Sequence, residues 1–368
     1  MKSILFLIFI SLLMVSCNGQ IKTKESQSTI QTKDTITTKF QQTSSQNSGL
    51  PYLQASLKDP LFYIDGQLCQ HLRKIYQDKK GQLWFGTNVY GIMRYDGEKL
   101  EYFDDKDGVD GRITGILEDK KGNVWFGSAS GLIKYDGVTF TTFSKQDQDA
   151  YSNEVWSILI DSKGTFWVGT TNGVSHFDGK EFIPFPIPKA KVKNSTTVYS
   201  YNRITSIVED RNGAFWFGTD GFGITKYDGN NFTFYTKENG LPDNNVSEMM
   251  MDSRGNIWIG TYFGGVSMYD GKSFTNFTEK GIIKGIEVGS FYEDKKGTIW
   301  FAAENHGVYN YNGKSFSNFN EEHGLNTNGI LSIYQDKEDR FWFGGWGGLF
   351  RYDGTSFTSV TAQGPWDY

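Results

Sequence analysis

The stretch DSRGNIWIGTYFGGVSMYDGKSF, from Asp252 to Phe274, decides the fold of this 368-residue chain. It combines two aspartate-containing turns, one tryptophan in an apolar run and several glycines. Nearly the same pattern occurs six more times. The tryptophans at its centre are Trp84, Trp125, Trp167, Trp216, Trp258, Trp300 and Trp342, spaced by 41, 42, 49, 42, 42 and 42 residues. A period near forty residues indicates a repeat architecture, and the one longer interval indicates an insertion of seven residues.

Each unit contains four short β signals, which in the fifth unit are VSEMMMD, NIWIGT, GVSMYD and SFTNFT. The first two are joined by the turn DSRG, and the last two by an Asp-Gly hairpin signal. Apolar residues fall on both faces of the strands, as in sheets that are covered on both sides. The pattern predicts an all-β fold: a single seven-bladed β-propeller with four antiparallel strands per blade.

The repeated turn aspartates look like catalytic groups when one unit is taken alone. Their recurrence in every unit favours a structural role, because aspartate is an ordinary turn former. They are Asp78, Asp119, Asp161, Asp210, Asp252, Asp294 and Asp336. We interpret the repeated tryptophans as packing between blades.

Units such as ITGILEDKKGNVWFGSASGLIKYDG and VSEMMMDSRGNIWIGTYFGGVSMYDG resemble the two-component regulator propeller repeat. This repeat occurs in periplasmic sensor regions of bacterial hybrid histidine kinases. The resemblance extends over all seven units, from about His71 to Thr361. In that family the propellers precede an Ig-like domain, a transmembrane helix and a kinase. The sequence stops soon after the seventh unit, so we expect a sensor-type propeller without kinase activity.

The N-terminus, MKSILFLIFISLLMVSCNGQ, has the pattern of a secretory signal, with an apolar run from Ile4 to Val15. Its ending MVSC resembles a bacterial lipobox, which implies a lipoprotein signal peptide at residues 1–17 and lipidation of Cys17. The alternative is an ordinary cleaved signal. By resemblance to Gram-negative lipoproteins, Asn18 favours the outer membrane, so we expect a lipid-anchored envelope protein that faces the periplasm.

Residues 18–50 are rich in Ser, Thr, Gln and Lys, which predicts a disordered tether before a propeller at residues 51–368. The net charge of −5 comes without a basic face, so we expect no nucleic-acid partner. We also expect no cofactor and no metal, since no metal-ligating spacing occurs.

Binding residues are expected on one face, because the loops between the second and third strands vary while the opposite turns are nearly constant. These variable loops carry the aromatic and histidine candidates Tyr90, Phe222, Tyr262, Phe263, His306 and Trp346. Exposed rings of this kind stack on sugars or receive the side chains of a partner. Alternatively, they only pack on neighbouring loops.

A second set of candidates stands just before the first strand of each unit: His71, Arg112, Glu154, Arg203, Asn245, Glu287 and Gly329. A ring of mixed charge around a central channel can bind a polar ligand, or it can be a self-satisfied polar rim. The insertion, FPIPKAKVKNSTTVYSYNR, falls on the same face with Lys189, Lys191 and Lys193. It is interpreted as a lid, a partner contact or a tolerated surface loop.

Three functions stay open. We expect a sensor-like module that binds a glycan, a peptide or an envelope protein. The alternative enzyme, such as a lyase, would use His71, His306, His323 or Arg203, since streptogramin-type lyases show that such propellers can host acid–base chemistry. The third is a structural scaffold of the envelope.

Overall fold

The computed structural model describes residues 66–144 and 153–366, and these residues form seven four-stranded antiparallel sheets. Strand order within each sheet follows the sequence. The predicted signal peptide with Cys17, the predicted tether and the start of the predicted propeller region, 51–65, lie outside the described residues. Within the described residues, no helix is long and apolar enough to cross a membrane.

The first strands are β1 (Leu72–Gln77), β5 (Ile113–Glu118), β9 (Val155–Ile160), β13 (Ile204–Glu209), β17 (Val246–Met251), β21 (Val288–Glu293) and β25 (Ile330–Gln335). The second strands are β2 (Leu83–Thr87), β6 (Val124–Ser128), β10 (Phe166–Thr170), β14 (Phe215–Thr219), β18 (Ile257–Thr261), β22 (Ile299–Ala303) and β26 (Phe341–Gly345). The third strands are β3 (Ile92–Tyr95), β7 (Gly131–Tyr135), β11 (Gly173–Phe177), β15 (Ile224–Tyr227), β19 (Val266–Tyr269), β23 (Val308–Tyr311) and β27 (Gly348–Tyr352). The fourth strands are β4 (Leu100–Phe103), β8 (Phe140–Phe143), β12 (Phe182–Phe185), β16 (Phe232–Tyr235), β20 (Phe274–Asn276), β24 (Phe316–Phe319) and β28 (Phe357–Val360).

The sheets are arranged in a closed ring. Each first strand lies against the first strand of the next sheet, and β25 lies against β1. The first strands therefore surround the central channel, and each sheet is one blade. The predicted seven-bladed β-propeller with four antiparallel strands per blade is confirmed.

The repeated tryptophans pack between blades. Trp84 of the first blade is fully buried and joins a cluster with Ile113 and Phe126 of the second blade. Its ring centroid lies 5.4 Å from that of Phe126. A blade cannot bury both of its faces alone, so each blade is stabilised by its neighbours.

The repeated aspartates hold the turn and the tryptophan together. Asp252 Oδ1 accepts hydrogen bonds from the amides of Arg254 and Asn256, and its Oδ2 accepts one from Trp258 Nε1 at 3.1 Å. The same indole-to-carboxylate bond occurs in all seven blades, at 2.7–3.1 Å. The aspartates are therefore structural, and the indole bond adds to the predicted role in the turn.

The ring closes between blades seven and one by packing from both sides. Blade seven supplies its own four strands, β25 to β28. Leu68 and Cys69 pack against Trp342 in blade seven, and the Trp366 ring stacks on Tyr95 in blade one at 4.2 Å. Just before blade one, Gln67 forms an isolated antiparallel bridge with Thr361, which follows the last strand of blade seven.

Candidate functional site

Two rings of residues form one mouth of the channel. The entry ring contains the residues just before the first strands: His71, Arg112, Glu154, Arg203, Asn245, Glu287 and Gly329. The exit ring contains the residues just after the second strands: Asn88, Ala129, Thr171, Asp220, Tyr262, Glu304 and Trp346. In six blades the exit-ring amide donates to the entry-ring carbonyl of the same blade, at 2.9–3.0 Å. This pairing places both rings at the same end of the channel.

A cavity of about 560 Å³ lies at this mouth. The predicted residues that it brings together are Arg112, Arg203, Tyr262, Glu287, Gly329 and Trp346. The first strands themselves contribute further large or charged side chains, namely Arg73, Lys74, Trp156 and Glu248, and the exit ring adds Glu304. The volume falls in the range of sites for small ligands.

Trp156 lies between two guanidinium groups. The Cζ of Arg112 is 4.4 Å from the ring centroid of Trp156, and that of Arg203 is 4.6 Å from it. Arg112 also forms an ion pair with Glu154. The indole Nε1 of Trp156 donates to Thr171 Oγ1 at 2.9 Å, which fixes the orientation of the ring. Stacking of cations on the ring holds both arginines at the cavity wall.

The buried carboxylate of Asp220 holds the side chain of Arg203. Its Nε lies 3.1 Å from Asp220 Oδ2, and the side chains are 2% and 0% exposed. Asp220 also accepts hydrogen bonds from the amides of Val198, Tyr199 and Ser200 at 2.7–2.9 Å. A charge this deeply buried needs such partners. Asp220 therefore joins the insertion to the mouth.

The insertion forms part of the cavity surroundings. Tyr199, which is 41% exposed, makes an edge contact with Trp156 at 5.1 Å between ring centroids. Of the three predicted basic residues, Lys191 and Lys193 are exposed, whereas the Nζ of Lys189 lies 3.4 Å from the ring centroid of Tyr201. Loss of water around it lowers the pKa of Lys189. The insertion is thus anchored at the mouth and carries two exposed lysine side chains, Lys191 and Lys193.

The charges of the cavity are distributed unevenly. Burial, together with repulsion from Arg112, lowers the pKa of Arg73 to about 10. On blade six, partial burial and the neighbouring carboxyl of Glu304 raise the pKa of Glu287 to about 7. Lys74 and Glu248 join blades one and five through an ion pair at 3.2 Å. Guanidinium groups therefore gather on blades one, two and four, and a pair of carboxyl groups lies on blade six.

Several predicted residues lie away from this cavity. Tyr90 packs against the cluster that closes the ring. Phe222 is only 4% exposed, beneath Tyr201, so it is not the exposed ring that the sequence predicts. Phe263 is 56% exposed but is not part of the cavity wall, and Asn245 is buried, with its side chain donating to Asp243.

The predicted histidines do not share one cavity. The ring of His71 packs against Trp346, with 3.9 Å between centroids. His306 lines a separate cavity of about 460 Å³ beside Lys284 and Asn328. His323 ends a short 3₁₀ helix, Glu321–His323, where its ring contacts Asn320 and Phe319. An acid–base pair of these histidines is therefore not assembled.

Sequence reasoning missed Arg73, Trp156, Lys74, Glu248 and Glu304. A signal for the first two exists, because the second residue of each first strand is small or aliphatic in the other blades. Those residues are Thr114, Thr205, Ser247, Gly289 and Leu331. Arg73 and Trp156 depart from this series. In the part of the chain that the structure describes, no group of three His, Cys, Asp or Glu side chains has a metal-binding arrangement.

The family model described as "Two component regulator propeller" matches residues 67–89, 107–130, 152–172, 199–221, 240–263 and 324–347. The chain contains six two-component regulator propeller repeats that this model matches. These six matches correspond to six of the seven blades. Blade six is the blade that the model does not match. It has Ala302 where the second strands of the other blades have glycine, as in Gly260. No curated protein sequence matches the chain.

Solved structures share the propeller fold of these repeats. The extracellular domain of the hybrid two-component system BT3049 from B. thetaiotaomicron is 22% identical, with a TM-score of 0.64, over 78% of this chain and 39% of that domain. A virginiamycin B lyase from Staphylococcus aureus, solved with quinupristin, is 15% identical, with a TM-score of 0.58, over 76% and 93% of the two chains. PorZ, a surface component of the type-IX secretion system of Porphyromonas gingivalis, is 17% identical, with a TM-score of 0.58, over 80% of this chain and 48% of PorZ.

Proposed function

We propose that this chain is a sensor-like binding module of the bacterial envelope that takes a glycan, a peptide or a protein segment at the mouth formed by the entry and exit rings. The observation that carries the proposal is the cavity of about 560 Å³, in which guanidinium donors and aromatic faces converge. Such a combination orients a polar ligand by hydrogen bonds while rings cover its apolar surface.

The similar proteins support a binding role without setting the ligand. BT3049 is named as the extracellular domain of a putative hybrid two-component system, and PorZ as a surface component of a secretion system. The lyase neighbour makes an enzyme the alternative. Against it, the predicted acid–base histidines lie in different environments.

Binding to glycan and peptide arrays tests the proposal. The parent protein is compared with Tyr262→Ala and Trp346→Ala, which alter the cavity wall, and with Phe263→Ala, which alters an exposed ring outside it. We expect the first two variants to lose binding and Phe263→Ala to keep it. Thermal unfolding separates loss of ligand contacts from loss of fold. Turnover of a bound compound, or binding that survives both cavity variants, would contradict the proposal.

The envelope location is also a proposal. It is supported by the lipobox-like sequence that ends at Cys17. Metabolic labelling with a fatty acid, followed by membrane fractionation, tests it. We expect the label in the parent protein and not in Cys17→Ser, which should leave the outer-membrane fraction. A Cys69→Ser control should keep the label, because that buried thiol lies within the propeller.

A further inference from the structure

The charges that line the cavity do not all find partners within it. Four of them are held in three ion pairs: Lys74 with Glu248, Arg112 with Glu154, and Arg203 with Asp220, of which Glu154 and Asp220 lie outside the cavity wall. Among the described residues, Arg73, Glu287 and Glu304 form no ion pair with a group of opposite charge. One cation on blade one and a pair of carboxyl groups on blade six are thus left facing the same space.

Arg203 provides a second, independent indication of a ligand. Its side chain is 2% exposed, yet its Nη2 makes no hydrogen bond within residues 66–144 and 153–366. A buried guanidinium donor without an acceptor is costly, and an anionic group of a ligand would supply the acceptor. Arg203 lines the cavity with Arg73, and their mutual repulsion contributes to the lowered pKa of Arg73. An anion placed there would relieve both effects.

The side of the cavity formed by blade six requires a ligand group of the opposite charge. Glu287 and Glu304 lie next to each other, and their repulsion is one reason for the raised pKa of Glu287. A ligand ammonium group placed against this pair would stabilise the ionised carboxylates and offset the repulsion between them. A purely anionic ligand would instead meet two carboxyl groups, and an uncharged one would leave both walls unpaired.

The geometry points to a short peptide with free ends as the ligand of this cavity, its carboxylate on Arg73 and Arg203 and its ammonium group on Glu287 and Glu304. A sphere of the cavity volume is about 10 Å across, and an extended chain advances about 3.3–3.6 Å per residue. Two or three residues therefore fit. This inference rests on the proposed function and names its ligand class.

Calorimetric titration with tri-alanine tests the inference. The peptide is used with both ends free, with its amino end acetylated, and with its carboxyl end amidated. We expect binding of the free peptide, and a loss of about tenfold or more from either cap, because each removes a charge-assisted hydrogen bond. A neutral and an acidic trisaccharide serve as the other ligand classes.

Variants of each wall assign the two ends. We expect Arg73→Met to bind tri-alanine weakly, and amidation of the peptide should weaken this binding no further. We expect Glu287→Gln to bind weakly as well, and acetylation of the peptide should have no further effect. Arg73→Lys keeps the charge and should restore part of the affinity. Lys120→Met and Glu98→Gln, at exposed turns outside the cavity, are the matched controls and should bind as the parent does.

The outcomes distinguish the inference from the function on which it rests. If a trisaccharide binds in the cavity and tri-alanine at millimolar concentration does not, the peptide inference is wrong and the proposed binding function is supported. If tri-alanine binds equally well with either cap, the two-ended recognition is wrong. If no ligand of any class depends on the cavity variants, both proposals fail.

Discussion

The aspartate–tryptophan pair is the smallest unit that explains the repeat. In each blade one carboxylate accepts the backbone amide four positions later in its own turn and the indole N–H of a tryptophan six positions later. Both oxygen atoms are needed, because the turn uses Oδ1 and the indole uses Oδ2. Although burial opposes ionisation, hydrogen bonds from Asn256 and Trp258 hold the pKa of Asp252 below its usual range.

Asp252→Asn should lower the free energy of unfolding by about 1–3 kcal/mol, because an amide group would turn a donor towards the indole N–H. Chemical denaturation measures the change. The control is Asp270→Asn, in the exposed hairpin turn of the same blade, where only the amides of Lys272 and Ser273 bind the carboxylate. Blade six already has Asn312 in that role. Equal losses in both variants would contradict this assignment.

The carboxyl pair at the mouth predicts a stability that depends on pH. The pKa of Glu287 is about 7 in the folded protein and about 4.3 in an unfolded chain. The folded state therefore binds more protons between these values, and the free energy of unfolding falls as pH rises through this window. Thermal unfolding should show Glu287→Gln more stable than the parent at about pH 8 and similar to it at about pH 4. A constant difference at every pH would contradict the prediction.

At the scale of the strand, the glycine in the middle of each second strand permits neighbouring blades to approach. A Cβ on Gly260 would lie 2.2 Å from the carbonyl oxygen of Val288, in the first strand of the next blade. Blade six is the exception, with Ala302, and its first strand has an irregular register between Gly289 and Tyr292. Close approach of the blades therefore limits side-chain size at this position of the second strands.

Gly260→Ala should lower the free energy of unfolding by about 1–3 kcal/mol, since the extra methyl group forces the backbone of the adjacent strand to move. Denaturant titration provides the value. Gly289→Ala is the matched control, because a Cβ there would meet its nearest atom, on Glu248, at an ordinary 3.4 Å. A destabilisation by the control as large as that by Gly260→Ala would show that packing between blades is not the cause.

At the scale of the molecule, the ring depends on the contact between its first and last blades. Trp366 is 8% exposed and stacks on Tyr95, while its carbonyl oxygen accepts a hydrogen bond from Arg351 Nη1 at 2.9 Å. Together with Leu68 and Cys69, it fills the space between blades seven and one. Because this contact joins distant parts of the chain, it links the blades into one structure.

Trp366→Ala should lower the free energy of unfolding by about 3–5 kcal/mol, because it leaves a large cavity between the two blades. Fluorescence and circular dichroism should still report one transition, at a lower denaturant concentration. Gln363→Ala, at an exposed position in the same segment, should leave the transition in place. Two separate transitions in Trp366→Ala would show that the ring opens before its blades unfold.

The sequence alone determined the number of blades, their strands and the structural role of the aspartates. These features follow from local patterns, since each turn, strand and Asp–Trp spacing is repeated within about forty residues. It also placed the entry ring on one face, so Arg112, Arg203 and Glu287 were predicted. The cavity, in contrast, needs side chains from different blades, and their distances depend on the closed ring.

Only the tertiary structure decided which loop residues line the cavity. Phe222 was predicted at the surface, but the insertion folds over it because Asp220 binds three successive amides of that segment. Arg73 and Trp156 depart from the small or aliphatic residues at the same strand position in the other blades, but only the closed ring brings them into one cavity with Arg203. Local periodicity fixes the strands, whereas contacts between residues far apart in sequence fix the site.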